Sequence, residues 1–195
     1  DTASLQATAT AIAAGEPVHI LINNTGGPPG GPASTATAAE FESAFRQHLL
    51  GGQVLLQALL PGMRASGYGR IVNVISTSVK EPIAGLGVSN TVRAAVAGWA
   101  KTLSGELAAD GITVNNVLPG YTHTSRLDGL LAAKAAASGQ GEDEIAQGLI
   151  ATIPARRFGE AGEVAAVIAF LCTPAAAYVT GVSIAVDGGR TRALS

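Results

Sequence analysis

A chain of 195 residues with 47% apolar and 13% charged side chains can bury a sizeable core in one domain and is too apolar to stay disordered. Its formal net charge of −2, with no Lys/Arg cluster, excludes the basic field that nucleic-acid binding needs. Aromatic residues make up only 4%, so the core must be built from Ala, Val, Leu and Ile, whose small volumes let helices pack closely.

The elements follow in chain order. A helical pattern runs from Leu5 to Ala14, with Asp1 or Thr2 as its N-cap. No initiator Met or signal segment precedes it. The chain therefore reads as a fragment of a longer protein, and targeting is not legible at this end. Val18 to Ile22 is a short apolar run between Pro17 and an Asn/Gly cluster, the pattern of a buried strand. Residues 38–60 follow helical spacing, with Phe41, Phe45, Leu49, Val54, Leu55 and Leu59 apolar, and Pro61-Gly62 is the predicted stop. Arg70 to Ile75 is a second strand. A long helix spans 88–109 and ends at Asp110-Gly111. Ile112 to Leu118 is a third strand, ended by Pro119-Gly120. Residues 125–150 are Ala/Gly-rich with a Glu142-Asp143-Glu144 patch and predict one or two mobile helices. A helix over 160–172 and a strand from Val182 to Val186, closed by Asp187-Gly188-Gly189, complete the chain.

Cys172 is the single cysteine, which excludes an internal disulfide and fits a reducing, cytoplasmic compartment. It ends the run V-A-A-V-I-A-F-L-C, where a buried small hydrophobe is the expected role. Nine apolar residues are too few to span a membrane. No His/Cys cluster has metal spacing.

Strands alternating with helices through short connections predict a parallel α/β architecture in a single domain. The strands are apolar on both faces, as a doubly wound sheet covered by helices on both sides requires. Ligands of such sheets bind at the carboxyl edge. Three loops fall there: Asn23-Asn24-Thr25-Gly26-Gly27-Pro28-Pro29-Gly30, Ser76-Thr77-Ser78, and Pro119-Gly120-Tyr121-Thr122-His123-Thr124. Glycines in the first allow close backbone approach to a ligand. Asn23 and Asn24 can bond a ribose or tie neighbouring strands together. The hydroxyls of the second can serve a site or cap a strand end. Thr122 and Thr124 can bind phosphate or cap the next helix.

In combination the loops carry more information. N-N-T-G after one strand, a serine ending the next, P-G-Y-T-H-T after the third and a terminal T-G-V-S-I-A-V-D-G-G occur in a fixed order. This resembles the short-chain dehydrogenase/reductase family, and within it the 3-oxoacyl-(acyl-carrier-protein) reductase-like branch, from Asp1 to about Gly189. The resemblance implies a Rossmann-like fold, bound NAD or NADP, and hydride transfer between a carbonyl and an alcohol. It places Asn24, Thr25 and Gly26 beside the adenine-side ribose. It sets Pro119, Gly120 and Thr122 along the nicotinamide, and Thr124 near the pyrophosphate.

Two departures follow. The family begins with a strand, a Gly-rich phosphate turn and a helix, then two further strands, and no G-x-x-x-G-x-G occurs in this chain. The helix N-terminus that would cradle the phosphates is absent from it, and an exposed sheet edge is expected. The second departure is in the active site, which in the family is Asn, Ser, Tyr and Lys, with the Ser thirteen before the Tyr and the Tyr four before the Lys. That spacing maps onto Ser76, Ser89 and Arg93, and ungapped alignment of the preceding helix puts His48 at the Asn position. A serine hydroxyl is far less acidic than a phenol and one ring shorter. Arg93 keeps a cation that can bond the cofactor ribose but cannot change protonation state. Tyr121 and His48 are therefore the candidate proton sources, with Ser76 polarising the carbonyl.

An oxidoreductase acting on a small carbonyl or alcohol is the leading reading. A non-catalytic ligand-binding relative and an oligomeric assembly subunit are the alternatives. The resemblance implies a homodimer or homotetramer through helix 88–109 and the C-terminal helix and strand.

Overall fold

The computed structural model describes residues 2–194. The helices are α1 (Thr2–Ala13), α2 (Ala38–Phe45), α3 (Gly51–Ser66), α4 (Gly87–Leu107), α5 (Ser125–Ser138), α6 (Glu142–Ala151) and α7 (Ala161–Leu171). The strands are β1 (Ile20–Asn23), β2 (Gly69–Val74), β3 (Ile112–Pro119) and β4 (Ser183–Val186). All pair in parallel in the order β1-β2-β3-β4. Each predicted strand and helix is present within a few residues. Asp1, one of the two predicted caps, lies outside the described residues, and Thr2 is already helical.

Alternation along the strands splits the core into two layers. Ile71, Ile112 and Val114 pack with Leu56, Leu59 and Met63 of α3 and Ala100, Leu103 and Leu107 of α4. On the opposite face Val72 and Val117 pack with Val164 and Leu171 of α7. This is the Rossmann-like arrangement, a parallel sheet with helices on both faces. The helix α1 lies on α3. Cys172 packs against the second layer and burial pushes its thiol pKa up, as a small hydrophobe requires. At the edge, β1 pairs with β2 alone among the described strands, and Ile20 and Ile22 are 44% and 46% exposed. No helix among the described residues is long and apolar enough to cross a membrane.

The predicted stop at Pro61-Gly62 is overturned. Pro61 lies inside α3, which continues to Ser66 and ends at Gly67, whose φ of 59° supplies the left-handed turn. Pro61 removes one backbone hydrogen bond, but the extra turn buries Met63 completely, and that burial offsets the loss. A second difference lies upstream. Between α2 and α3 the chain winds a π turn at Arg46–Leu50. The wider turn shifts the apolar stripe by about one residue. Ala44, His48, Gly52, Leu56 and Leu59 face inward, while Phe45 is 40% exposed.

Thr37 starts α2 with a capping box. Its hydroxyl accepts from the Glu40 N–H, and the Glu40 carboxylate accepts from the Thr37 N–H at 2.7 Å. Thr37→Ala is expected to cost about 1 kcal/mol, measured as a lower urea midpoint with unchanged slope.

Residues 125–150 form α5 and α6, which close a small satellite core of Leu127, Ile153 and Phe158.

Candidate active site

A ladder of side chains ties the four strands together, from the last residue of β1 across β2 and β3 to the first residue of β4. Asn23, Asn73, Asn116 and Ser183 occupy matching registers. Asn23 Nδ2 donates to Asn73 Oδ1 at 2.9 Å, Asn73 Nδ2 to Asn116 Oδ1 at 3.0 Å, and Asn116 Nδ2 to Ser183 Oγ at 3.1 Å. The ladder crosses the whole sheet and holds the loops that follow it in fixed relation. Of the two roles open to Asn23, it takes the structural one. Asn73 and Asn116 went unnoticed in the sequence, although each interrupts an apolar strand, R-I-V-N-V and T-V-N-N-V, and that interruption was the available signal.

Ser89 and Arg93 lie one turn apart on α4 and both are buried, at 4% and 7% exposure. Arg93 Nε donates to Ser89 Oγ at 3.2 Å. Its Nη1 donates to the carbonyls of Ile75 at 2.8 Å and Val74 at 3.3 Å. The guanidinium is thereby fixed at the end of β2, one residue before Ser76. Burial first, and the charge of Arg126 second, lower its pKa to about 10. Ser76 caps the short turn after β2, with its Oγ accepting from the Ser78 N–H at 3.0 Å. The start of α4 is clamped to the preceding loop by Gly31 N–H to Gly85 O at 2.7 Å and Gly87 N–H to Gly31 O at 2.9 Å. A Cβ on Gly87 would run into the backbone of Ala33, so only glycine allows this approach.

His48 projects from the π turn to the first loop, where its Nδ1 meets Thr25 Oγ1 at 2.5 Å. Its Nε2 is buried with no hydrogen-bond partner among the described residues. Burial first, then the charges of Arg93 and Arg126, lower its pKa to about 4, so it is neutral at pH 7. Beside Thr25, the backbone N–H groups of Thr25, Gly26 and Gly27 make no hydrogen bond with any described residue. Arg126, from the first turn of α5, lays the flexible end of its side chain against Gly27. Nothing in the sequence marked Arg126, because it reaches this loop across 99 residues of chain.

The third loop is arranged locally. Pro119 ends β3, and the Gly120 N–H bonds Val186 O at 2.9 Å. Thr122 Oγ1 donates to Gly120 O at 3.2 Å, and Thr124 Oγ1 to Thr122 O at 3.3 Å. Thr124 stands at the N-cap of α5, but its hydroxyl bonds no helix N–H. Tyr121 packs edge-on against Phe158 at 6.3 Å between centroids, with Arg190 over its ring at 4.9 Å. No hydrogen bond or ring contact joins Tyr121 to Ser76, Ser89, Arg93 or His48 among the described residues. The structure thus gathers Ser76, Ser89 and Arg93 at one strand end and His48, Thr25 and Gly26 at the next, and seats Tyr121 in a different cluster.

Parallel strands covered on both faces, with polar loops gathered at their carboxyl edge, define a Rossmann-like ligand-binding domain. Residues 1–191 match the family model described as enoyl-(acyl carrier protein) reductase. The chain belongs to the short-chain dehydrogenase/reductase family. It is 35% identical over 185 residues to Protein FixR of Bradyrhizobium diazoefficiens, covering 91% of this chain and 61% of that protein. It is 33% identical over 172 residues to 3-oxoacyl-(acyl-carrier-protein) reductase FabG of Vibrio cholerae, covering 88% of this chain and 66% of that one. The chain thus spans less than two thirds of the length of these curated relatives. The crystal structure of L-sorbose reductase from Gluconobacter frateurii, complexed with NADPH and L-sorbose, superimposes with a TM-score of 0.92 at 26% identity. That match covers 100% of this chain and 74% of the other.

Proposed function

We propose that the chain supplies the substrate side of a cytoplasmic NAD(P)-dependent oxidoreductase acting on a carbonyl/alcohol pair through an altered proton-donor site. The observation that carries the reading is the buried Ser89–Arg93 pair fixed at the end of β2 beside Ser76. The first loop suits a nucleotide. Its glycines lack side chains, and the free N–H groups of Thr25, Gly26 and Gly27 face no protein acceptor. The cofactor supplies the hydride when bound. Asn24, Thr25 and Gly26 would hold the adenine-side ribose, Arg93 would bond the nicotinamide-side ribose, and Pro119, Gly120, Thr122 and Thr124 would border the rest. The relatives support the cofactor class, since solved structures of L-sorbose reductase and gluconate 5-dehydrogenase carry NADPH and NADP.

In this reading Ser76 polarises the substrate carbonyl. The proton source narrows on physical grounds. His48 is neutral at working pH, and a neutral imidazole is a poor acid. The Tyr121 ring is held by Phe158 and Arg190. Ser89 gives its oxygen to Arg93 Nε and keeps its hydroxyl hydrogen free for the substrate. A second reading, a family member that binds its ligand without turnover, is favoured by the Tyr/Lys acid–base pair reading Ser/Arg. Association through α4 is part of either reading, because Phe41, Phe45, Val92 and Ala95 form a shallow apolar hollow on its outer side.

NADH and NADPH binding to the full-length protein, followed by turnover of a ketone and alcohol panel, tests the proposal. Absence of binding at millimolar cofactor would sink it. The double variant Ser89→Tyr/Arg93→Lys separates the two readings. A large gain in reductase rate identifies a lapsed site, and loss of an existing rate identifies a rebuilt one.

A further inference from the structure

The turn after β4 crosses the carboxyl edge of the sheet on the side away from the first loop, and its contacts trace its path. It leaves β4 at Val186, which pairs with Pro119. A Cβ on Gly120 would lie 2.7 Å from Asp187 Cα, so this turn and the third loop touch backbone to backbone. Arg190 then lies over the Tyr121 ring at 4.9 Å. Beyond it the Arg192 N–H donates to Glu81 Oε1 at 2.6 Å, in the loop that follows Ser76. The turn thus runs from β4 over the loop of β3 to the loop of β2, and walls the edge opposite the loop of β1.

Within this wall the Arg190 side chain makes no hydrogen bond or ion pair with any described residue, and its Nε is buried. The nearby Asp187 carboxylate is committed to the turn itself, with Oδ1 accepting from the Gly189 N–H at 3.0 Å and Oδ2 from the Thr191 N–H at 2.7 Å. The Tyr121 ring offers the cation a π face but gives its N–H groups no oxygen. A buried donor without an acceptor costs free energy that a ligand oxygen would return.

We infer that Arg190 is a specificity residue that takes a carboxylate at the far end of the substrate and so directs the enzyme to oxo acids and hydroxy acids. The inference rests on the oxidoreductase reading for the ligand's identity as substrate. It leaves the first loop and Arg93 to the cofactor. A substrate with its carbonyl at Ser76 extends over the third loop toward Arg190. A neutral ketone leaves Nε unpaired, and a site with a buried donor discriminates strongly against a ligand that lacks the acceptor. A substrate carboxylate and a cofactor phosphate share this chemistry, and the experiment tells them apart.

The test follows the Arg190 Nε–H signal by NMR in the full-length protein, assigned by its loss in Arg190→Gln, with and without saturating NADPH. Pyruvate, acetoacetate and levulinate set the carboxylate at increasing distance from the carbonyl, and their methyl esters are the neutral controls. At least one acid is expected to shift the signal saturably, and its ester to leave it in place. In Arg190→Gln the preference for that acid over its ester, read from the remaining amide signals, is expected to fall about tenfold, with Arg190→Lys restoring part of it. A loss that falls on acid and ester alike marks Arg190 as a packing residue on Tyr121 and overturns the inference. So does a signal that no acid moves, or one that NADPH shifts and the acids do not, which assigns the cation to the cofactor phosphate. NADPH binding without any acid response leaves the oxidoreductase reading standing. An acid response in a protein that binds no NADPH keeps the carboxylate contact and sinks that reading.

Discussion

Asn73→Ala is expected to destabilise the fold by about 3 kcal/mol, lowering the melting midpoint by roughly 10 °C for a chain of this size. Asn73 is 1% exposed and both accepts from Asn23 and donates to Asn116 within the ladder. Alanine breaks two hydrogen bonds at once. It strands Asn116 Oδ1, itself 4% exposed, with no route to water, and an unsatisfied buried group costs more than a lost bond. Asn23 sits at the open end of the ladder, is only half-buried and makes one ladder bond. Asn23→Ala should therefore cost about a third as much, near 1 kcal/mol. Thermal denaturation of the two variants side by side is the measurement, and equal small shifts would show that the ladder holds nothing. A cofactor affinity that falls in parallel would tie the ladder to the loops it positions.

His48 predicts a loss of stability in acid. In the unfolded chain its imidazole takes up a proton near 6.5, whereas in the fold it does so near 4. Between those values the unfolded state binds more protons, so lowering the pH favours unfolding. Above pH 6.5 both states are neutral and the group contributes no slope. The loss starts near 6.5, grows as the pH falls, and levels off below about 4 at about 3 kcal/mol. His48→Asn removes the titrating group and keeps a side chain that can bond Thr25. Urea midpoints of the two proteins at pH 7.5 and pH 5 should diverge only at the lower pH. A difference independent of pH would mean that His48 is not held neutral. Carboxylates such as Glu40, held low by its hydrogen bonds to Thr37, are common to both proteins and cancel in the comparison.

Much of the architecture was legible in the amino-acid order, and the reason is that its determinants are local. The apolar runs 18–22, 70–75 and 112–118, and the breaks at Asp110-Gly111 and Asp187-Gly188-Gly189, act within a few residues. The helix over 38–66 shows where local reading ends. Pro61 signals a stop, but the buried face beyond it, with Met63 fully enclosed, holds the turn in place. The π turn at 46–50 has no local signature, since it comes from matching His48 to Thr25 and α3 to the sheet at the same time.

The site divides along the same line. Ser89 and Arg93 were legible as a pair because helical spacing alone puts residues four apart on one face. Their burial, and the anchoring of Arg93 on Ile75, depend on how α4 docks at the end of β2. Tyr121 follows Pro119-Gly120 as the family pattern implies, yet its ring goes to Phe158 and Arg190, because a loop residue's direction is chosen by the elements that pack around it. Arg126 stands 99 residues from Gly27 and meets it only through the third dimension. Periodicity and turn chemistry are properties of neighbouring residues, so strands, helices and the Ser89–Arg93 spacing could be read directly. Which cations share a cleft, which imidazole loses its proton and which amides join four strands are set by parallel register and helix docking, long-range packing terms that no stretch of sequence contains.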